Sequence, residues 1–552
     1  MSALWSITLG DLLADRAARF PDRNAVTYVE CDFTRNWKEL NDECDRLAKG
    51  FMALGVQKGD HVLMWATNVP EWILTLFAVA KAGAVLVTVN TNYKRYEAEY
   101  LLSQSDGKVC VFIDGFKDTS YMEIVRQICP EVETSDPDAL SIQKLPHMKH
   151  LLYVGENETP RGVRHFADLY ALADTVSDEA YAARKASLHP DDVVNMQYTS
   201  GTTGFPKGVM LTHNNIINNG KSIGDCMKFT EEDRLCIPVP FFHCFGLVLA
   251  IMASITHATS MVPLTYYRPL LTMQAMQNEK CTAVHGVPTM FIAMLEHPEF
   301  QNFTFDHLRT GIMAGSPCPI KVMQQVADEM GMRDITIVFG QTESSPGCTQ
   351  TTTDDSLELR VSTVGRVLPG VEAKIVDPET GNPLPPHQPG EFCTRGYHVM
   401  QGYYNMPEAT KLAIDEDGWL HTGDIATVDE NGYYRITGRI KDMIIRGGEN
   451  ISPKEIEDFL YTHPAVRDVQ VIGVPSQQYG EEVMACIVRR EGETLTEQEV
   501  IDYVRANMAR HKTPRHVRFV DAFPLTASGK IQKFKMREEA EQWLSTGGST
   551  MV

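Results

Sequence analysis

Twelve cysteines are spread through the chain without one C-x-x-C pair. That spacing argues against a metal or redox cluster and leaves reduced thiols in a cytosol-like compartment as the expectation. Uninterrupted apolar runs of about 18 residues are missing too, so no membrane span is expected. The nearest approach, Trp72 to Val89, is broken by Lys81 and Gly83; it reads as a buried helix over Glu71–Lys81, a glycine stop, and a strand over Ala84–Val89. Positive charge is in deficit. A formal charge of −21 excludes a general nucleic-acid binder, which needs a basic surface. No secretory apolar segment opens the chain, because Asp11, Asp15 and Asp22 interrupt it. A cytoplasmic location is expected, with a mitochondrial matrix form that has lost its presequence as the alternative. No fixed-period repeat or low-complexity block occurs.

What is present is ordinary for a globular enzyme: 43% hydrophobic and 22% charged residues over 552 positions, enough for two to four domains. Strand-like and helical runs alternate through the first four hundred residues. The runs at 61–65, 84–89 and 108–113 bracket helical stretches, which predicts an α/β core with largely parallel sheets. Beyond Gly365 the texture turns rich in Gly and Pro, and Val371–Val376 alternates like a half-exposed strand. A β-rich subdomain over 365–438 is expected. The last stretch reads as an independent small α+β domain. Its helix opens with Ser452 as N-cap and Pro453 at the first helical position, and apolar strands follow at Val469–Val474 and Met484–Val488.

The strongest local signal is Y-T-S-G-T-T-G-F-P-K-G, Tyr198–Gly208. Consecutive N–H groups in a Gly/Ser/Thr loop form an anion nest. Thr199, Ser200, Thr202 and Thr203 add hydroxyl donors and Lys207 a point charge, while Gly201 and Gly204 permit close backbone approach. The P-loop spacing G-x-x-x-x-G-K-[ST] is not met. No Gly stands five residues before Lys207, and Pro206 lacks the N–H that such a site donates.

This loop resembles the phosphate loop of the adenylate-forming superfamily, and further blocks extend the likeness to its acyl-CoA synthetase branch. Phe339-Gly340-Gln341-Thr342-Glu343 resembles its aromatic-Gly-x-Thr-Glu block. The resemblance implies that Thr342 contacts the α-phosphate and that Glu343, with Thr203, holds Mg²⁺. Gly418–Asp424 (GWLHTGD) resembles the segment whose Asp binds the ribose hydroxyls, here Asp424. Gly438–Asp442 resembles the domain junction, with Arg439 reaching ribose or phosphate and Lys441 at the hinge. Pro524–Lys530 (PLTASGK) resembles the block with the mobile catalytic Lys, here Lys530. Gly315 and Ser316 stand where small residues line adenine and substrate, Ser316 being a mild variant. Phe242, His243 and Gly246 in PFFHCFG, with Val287, Gly315 and Gly340, are implied to line the acyl group, and Arg446, Gly447 and Gly448 the coenzyme A channel. His285–Met290 is implied to continue the acyl wall, and Phe241, Phe242 and Phe245 could face an alkyl tunnel or an aromatic ring.

The resemblance thus implies an α/β enzyme with a large N-terminal ATP- and acyl-binding domain (1–438), a hinge (439–441) and a mobile C-terminal domain (442–552). The implied reaction converts a carboxylic acid, ATP and coenzyme A into acyl-CoA, AMP and pyrophosphate through an acyl-adenylate. A medium-chain fatty acid is the expected substrate. An aryl or alicyclic acid, a separate carrier protein as acyl acceptor, and a non-catalytic nucleotide sensor are the alternatives. A homodimer is left open.

Overall fold

The structure, a computed structural model, describes residues 4–199, 206–315, 318–446, 449–476, 478–508, 510–526 and 530–546, without the side chains of 449 and 450. Two large sheets form most of it. One has eight strands in the order 402–403, 207–212, 193–199, 85–88, 61–65, 109–113, 150–154, 163–165. The six strands Val193–Thr199, Val85–Thr88, His61–Trp65, Val109–Ile113, His150–Val154 and Val163–His165 run parallel in it. The other has seven strands, with a parallel block from Asp334–Thr336 through Ser260–Pro263 to Asn24–Tyr28. The central strands Val85–Thr88 and Val109–Ile113 are apolar almost throughout because both their faces are covered.

A single hydrophobic core joins residues of both sheets with the helices Leu9–Arg19, Trp37–Ala53, Pro70–Lys81 and His213–Met227. The helix predicted over 71–81 runs from Pro70 to Lys81, with proline at its first position and an apolar run over Trp72–Ala80, and is followed by the strand Val85–Thr88. Lys81, the residue that breaks the apolar run, is fully buried. Its Nζ donates to Asp45 at 2.6 Å and Asn41 at 2.7 Å on the neighbouring helix. No helix among the described residues is long and apolar enough to cross a membrane.

From Val371 to Arg439 the chain forms a four-stranded antiparallel sheet: Val371–Val376, Gly390–Gly396, Leu420–Val428, Tyr434–Arg439. A short turn, Ile440–Asp442, then leads into a separate sheet built on the long hairpin Val466–Ser476 and Gly480–Arg489. The strand His516–Phe519 lies parallel to the latter, and helices at Pro453–Leu460, Glu497–Asn507 and Lys533–Ser545 cover it. Proline does stand at the first position of the helix Pro453–Leu460, but Ser452 makes no side-chain cap. Its hydroxyl donates instead to the Thr437 carbonyl, back in the preceding sheet. A hydroxyl that could satisfy its own helix is used to tie two sheets across the junction.

Candidate active site

The Tyr198–Gly208 segment joins two paired strands. Val193–Thr199 and Lys207–Thr212 are antiparallel, with Thr199 opposite Lys207. Ser200, Gly201, Thr202, Thr203 and Gly204 lie outside the described residues, as do Ser316, Gly447 and Gly448. Lys207 at the exit of the hairpin places its Nζ 4.7 Å from the ring centre of Tyr403. The Tyr403 hydroxyl donates to Glu343 Oε1 at 2.8 Å. Tyr403 is buried and carries no obvious signal in the sequence, yet it links the loop lysine to the Thr-Glu block.

Thr342 is buried and its Oγ1 lies 3.7 Å from Cys244 Sγ. Cys244 in turn sits beside His243, whose Nδ1 accepts the Phe245 N–H at 3.1 Å. That bond assigns the imidazole proton to Nε2. Burial first, and the neighbouring Lys530 charge second, hold His243 well below its ordinary range, so the ring is neutral. The block is pinned from behind by buried Asn68. Its Oδ1 accepts the Phe241 N–H at 2.8 Å, and its Nδ2 donates to the Val239 and Leu264 carbonyls. Asn68 was not recognisable from sequence, because its partners lie about 170 to 200 positions away.

Lys530 arrives from the C-terminal part, just before the helix Lys533–Ser545. A Cβ built on Gly315 would lie 3.8 Å from Lys530 Cε, 3.8 Å from Phe245 Cδ1 and 3.2 Å from Val287 Cγ1. Gly315, in the left-handed region at φ +88°, is therefore where three segments meet, and a Cβ there would be tight only against Val287. Burial lowers the Lys530 ammonium below its usual range and Arg439 adds to that, against the attraction of Asp424 and Glu343.

Asp424 is almost fully buried at 2% exposure. Its Oδ1 accepts Arg439 Nε at 2.7 Å, but its Oδ2 is buried with no partner. Burial raises its carboxyl above the ordinary range, although Arg439 pulls the other way. A carboxylate oxygen left dry and unpaired costs several kcal/mol, of the order of 1–3 or more. Such an acceptor is open to a donor that the described residues do not supply. Glu343 similarly offers Oε2, which has no hydrogen-bond partner among the described residues.

Several expected wall residues belong elsewhere. Phe241 is fully buried and packs on Trp72, so it is core and not tunnel. His285 is also fully buried: its Nε2 contacts the Leu249 carbonyl at 2.9 Å and its Nδ1 accepts the Ile312 N–H. Its hydrogen bonds are closed, so it cannot act on a substrate. A Cβ on Gly246 would stand 2.3 Å from the Pro240 carbonyl, and one on Gly340 1.7 Å from the Pro346 carbonyl; both glycines are explained by backbone crowding. Phe339 stacks edge-on against Phe392, and Gln341 donates its backbone N–H to Ser344. Phe245 and Val287 lie with Lys530 around Gly315, His243 feels the Lys530 charge, and Phe242 is buried. Arg446 is committed to Glu482, with Nε–Oε2 at 2.6 Å, and lies over the Tyr479 ring.

Residues 13–404 match the family model of the AMP-binding enzymes, and residues 455–530 match that of the AMP-binding enzyme C-terminal domain. The chain belongs to the AMP-binding enzyme family. It is 51% identical over its whole length, and over the whole of that protein, to YngI of Bacillus subtilis (strain 168), which carries the name of an acyl-CoA synthetase. It is 40% identical to the mitochondrial medium-chain acyl-CoA ligase ACSF2 of Rattus norvegicus, over 98% of this chain and 89% of that one. Among solved structures it is similar to ATP-bound MatB from Rhodopseudomonas palustris, at 30% identity and a TM-score of 0.83 over 97% and 99% of the two chains. The enzyme is an AMP-forming acid–thiol ligase, an acyl-CoA synthetase that uses ATP and coenzyme A.

Proposed function

We propose that this ligase activates a medium-chain fatty acid as its acyl-adenylate and then transfers the acyl group to coenzyme A at the same site. The observation that carries the reading is the convergence on one place of Asp424, with its unpartnered buried oxygen, Glu343, Arg439 and Lys530 from four separate stretches. Asp424 would accept the ribose hydroxyls, which suits an ionised carboxylate that can only accept. The backbone and hydroxyls of 199–204 and Lys207 would hold the phosphates, with Thr342 on the α-phosphate. Glu343 and Thr203 would hold Mg²⁺, a hard cation suited to oxygen donors. When bound, it reduces the repulsion between the entering carboxylate and the triphosphate.

In the first step a carboxylate oxygen attacks the α-phosphorus, the P–O bond to pyrophosphate breaks, and Lys530 stabilises the charge that builds there. In the second, the coenzyme A thiolate attacks the acyl carbon and AMP leaves with the bonding pair. The segment from 442 onward, turning about Lys441, would withdraw Lys530 and bring Arg446, Gly447 and Gly448 to the thiol channel. The apolar wall of Phe242, Phe245 and Val287, with neutral His243, suits an alkyl chain, and the medium-chain name of the ACSF2 relative favours that length. Each methylene is worth only about 1–3 kcal/mol in such a pocket, so neighbouring lengths are accepted too.

The test is a panel of acids from acetate to stearate, with benzoate and cyclohexanecarboxylate, assayed for AMP release that needs both ATP and coenzyme A. The expected maximum falls between hexanoate and dodecanoate. A maximum at benzoate or cyclohexanecarboxylate overturns the alkyl assignment.

A further inference from the structure

Asp424 stands in an irregular piece of sheet. Along the pairing of Gly390–Gly396 with Leu420–Val428, Glu391 faces Ile425 but Cys393 faces His421, so Thr422–Asp424 bulges opposite Phe392. On its other side the register with Tyr434–Arg439 shifts again just after Ile425. Bulges bend a strand and re-aim a side chain, and they leave ladder groups unpaired. Here Gly423 takes φ +69° with nothing within 4 Å of where a Cβ would sit, so the glycine is required by conformation alone.

The groups freed by the bulge are gathered by side chains. Gly423 donates its N–H to Glu391 Oε1 at 3.0 Å, and His421 Nδ1 lies 2.9 Å from Glu391 Oε2. His421 Nε2 lies 3.5 Å from Asp415. Thr422 Oγ1 donates to the Phe392 carbonyl at 2.6 Å and accepts the Asp424 N–H at 3.1 Å. Glu391 is nearly buried at 9% exposure. With Cys393 and His421 it has the donor chemistry of a metal site. Both of its oxygens are already engaged by Gly423 and His421, however, so the cluster is satisfied without an ion.

We propose that Glu391 is a positioning residue of the nucleotide site: its carboxylate holds the bulge at residues 422–424 in the shape that presents Asp424 Oδ2 to the ribose. Glu391 acts through Asp424, and the inference rests on the ribose reading proposed above. Loss of the clamp lets the bulge relax and weakens ATP binding about tenfold. The loss is selective. A nucleotide without ribose hydroxyls makes nothing with Asp424 and is indifferent to where Asp424 points.

Equilibrium binding of ATP and of 2′,3′-dideoxy-ATP to the full-length protein and its variants tests this. Glu391→Ala is expected to weaken ATP about tenfold and dideoxy-ATP less than twofold. Glu391→Gln, which keeps an acceptor for Gly423 and drops the charge, is expected to weaken ATP about threefold with the same selectivity. Should Glu391→Ala fail to fold, Glu391→Gln carries the test. If Asp424→Ala itself weakens both nucleotides equally, the ribose reading falls. If Asp424→Ala is selective for ATP but the Glu391 variants are not, or leave ATP binding unchanged, the positioning role alone is overturned.

Discussion

Lys530 and Asp424 hold opposite charges that burial works against, and this sets the pH behaviour of the first half-reaction. Asp424 must be ionised to accept hydroxyls, and its carboxyl is raised; activity is lost as pH falls through that raised value. Lys530 must be protonated, and its ammonium is lowered; activity is lost as pH rises through the lowered value. The acyl-adenylate kcat/KM profile, which reports the free enzyme, is therefore expected to be a bell narrower than ordinary carboxylate and ammonium groups would give. Lys530→Arg should move the alkaline limb upward, since a guanidinium does not titrate there; an unmoved limb removes Lys530 from that assignment. Lys530→Ala should lower acyl-AMP formation by at least a hundredfold while thioester formation from supplied acyl-AMP stays within a few fold. Equal loss of both steps contradicts its role.

The helices Trp37–Ala53 and Pro70–Lys81 show how an element is held by one buried charge. Asp45 and Asn41 on the first receive Lys81 from the end of the second, and Tyr181 also donates to Asp45. Breaking such a pair from one side leaves an uncompensated charge. Asp45→Ala is expected to destabilise the large domain by about 3 kcal/mol, read as an earlier urea midpoint. Lys81→Met, which removes the buried ammonium and keeps its apolar stem, is expected to cost less. The reverse order would mean that the pair contributes through packing and not through charge. These elements were readable in advance, because a proline, an apolar face and a glycine stop are local. The pairing was not: nothing near Lys81 in the chain names Asp45 as its partner.

The whole molecule brings the C-terminal sheet against the large domain in the arrangement that seats Lys530 beside Gly315. Ser452 bonds Thr437 across the junction, and Arg537 holds Asp442 at 3.3 Å where the C-terminal segment begins. A cleft between the two parts is lined by Pro288, Ile292, Pro319, Tyr461, Asp468 and Ile531. Burial raises the Asp468 carboxyl to about 6. If the segment beyond Asp442 turns between half-reactions, stiffening the turn must separate the two steps. Lys441→Pro, which locks the backbone at that residue, is expected to spare acyl-AMP formation and lower thioester formation at least tenfold. An unaffected second step, measured by single-turnover acyl transfer, would rule out rotation at this position.

The alternation of apolar runs, the Gly/Thr-rich stretch and the charged motifs are written into neighbouring residues, so the α/β class and the family were legible without coordinates. Whether a group is a wall, a core residue or a clamp depends on partners one to several hundred positions away. Phe241 and His285 are core, Tyr403, Cys244 and Asn68 contact Glu343, Thr342 and Phe241, and Asp424 is left with one unpartnered oxygen. Local chemistry decides which groups a segment can offer; only packing in three dimensions decides which of them remain unsatisfied and thus available to a ligand.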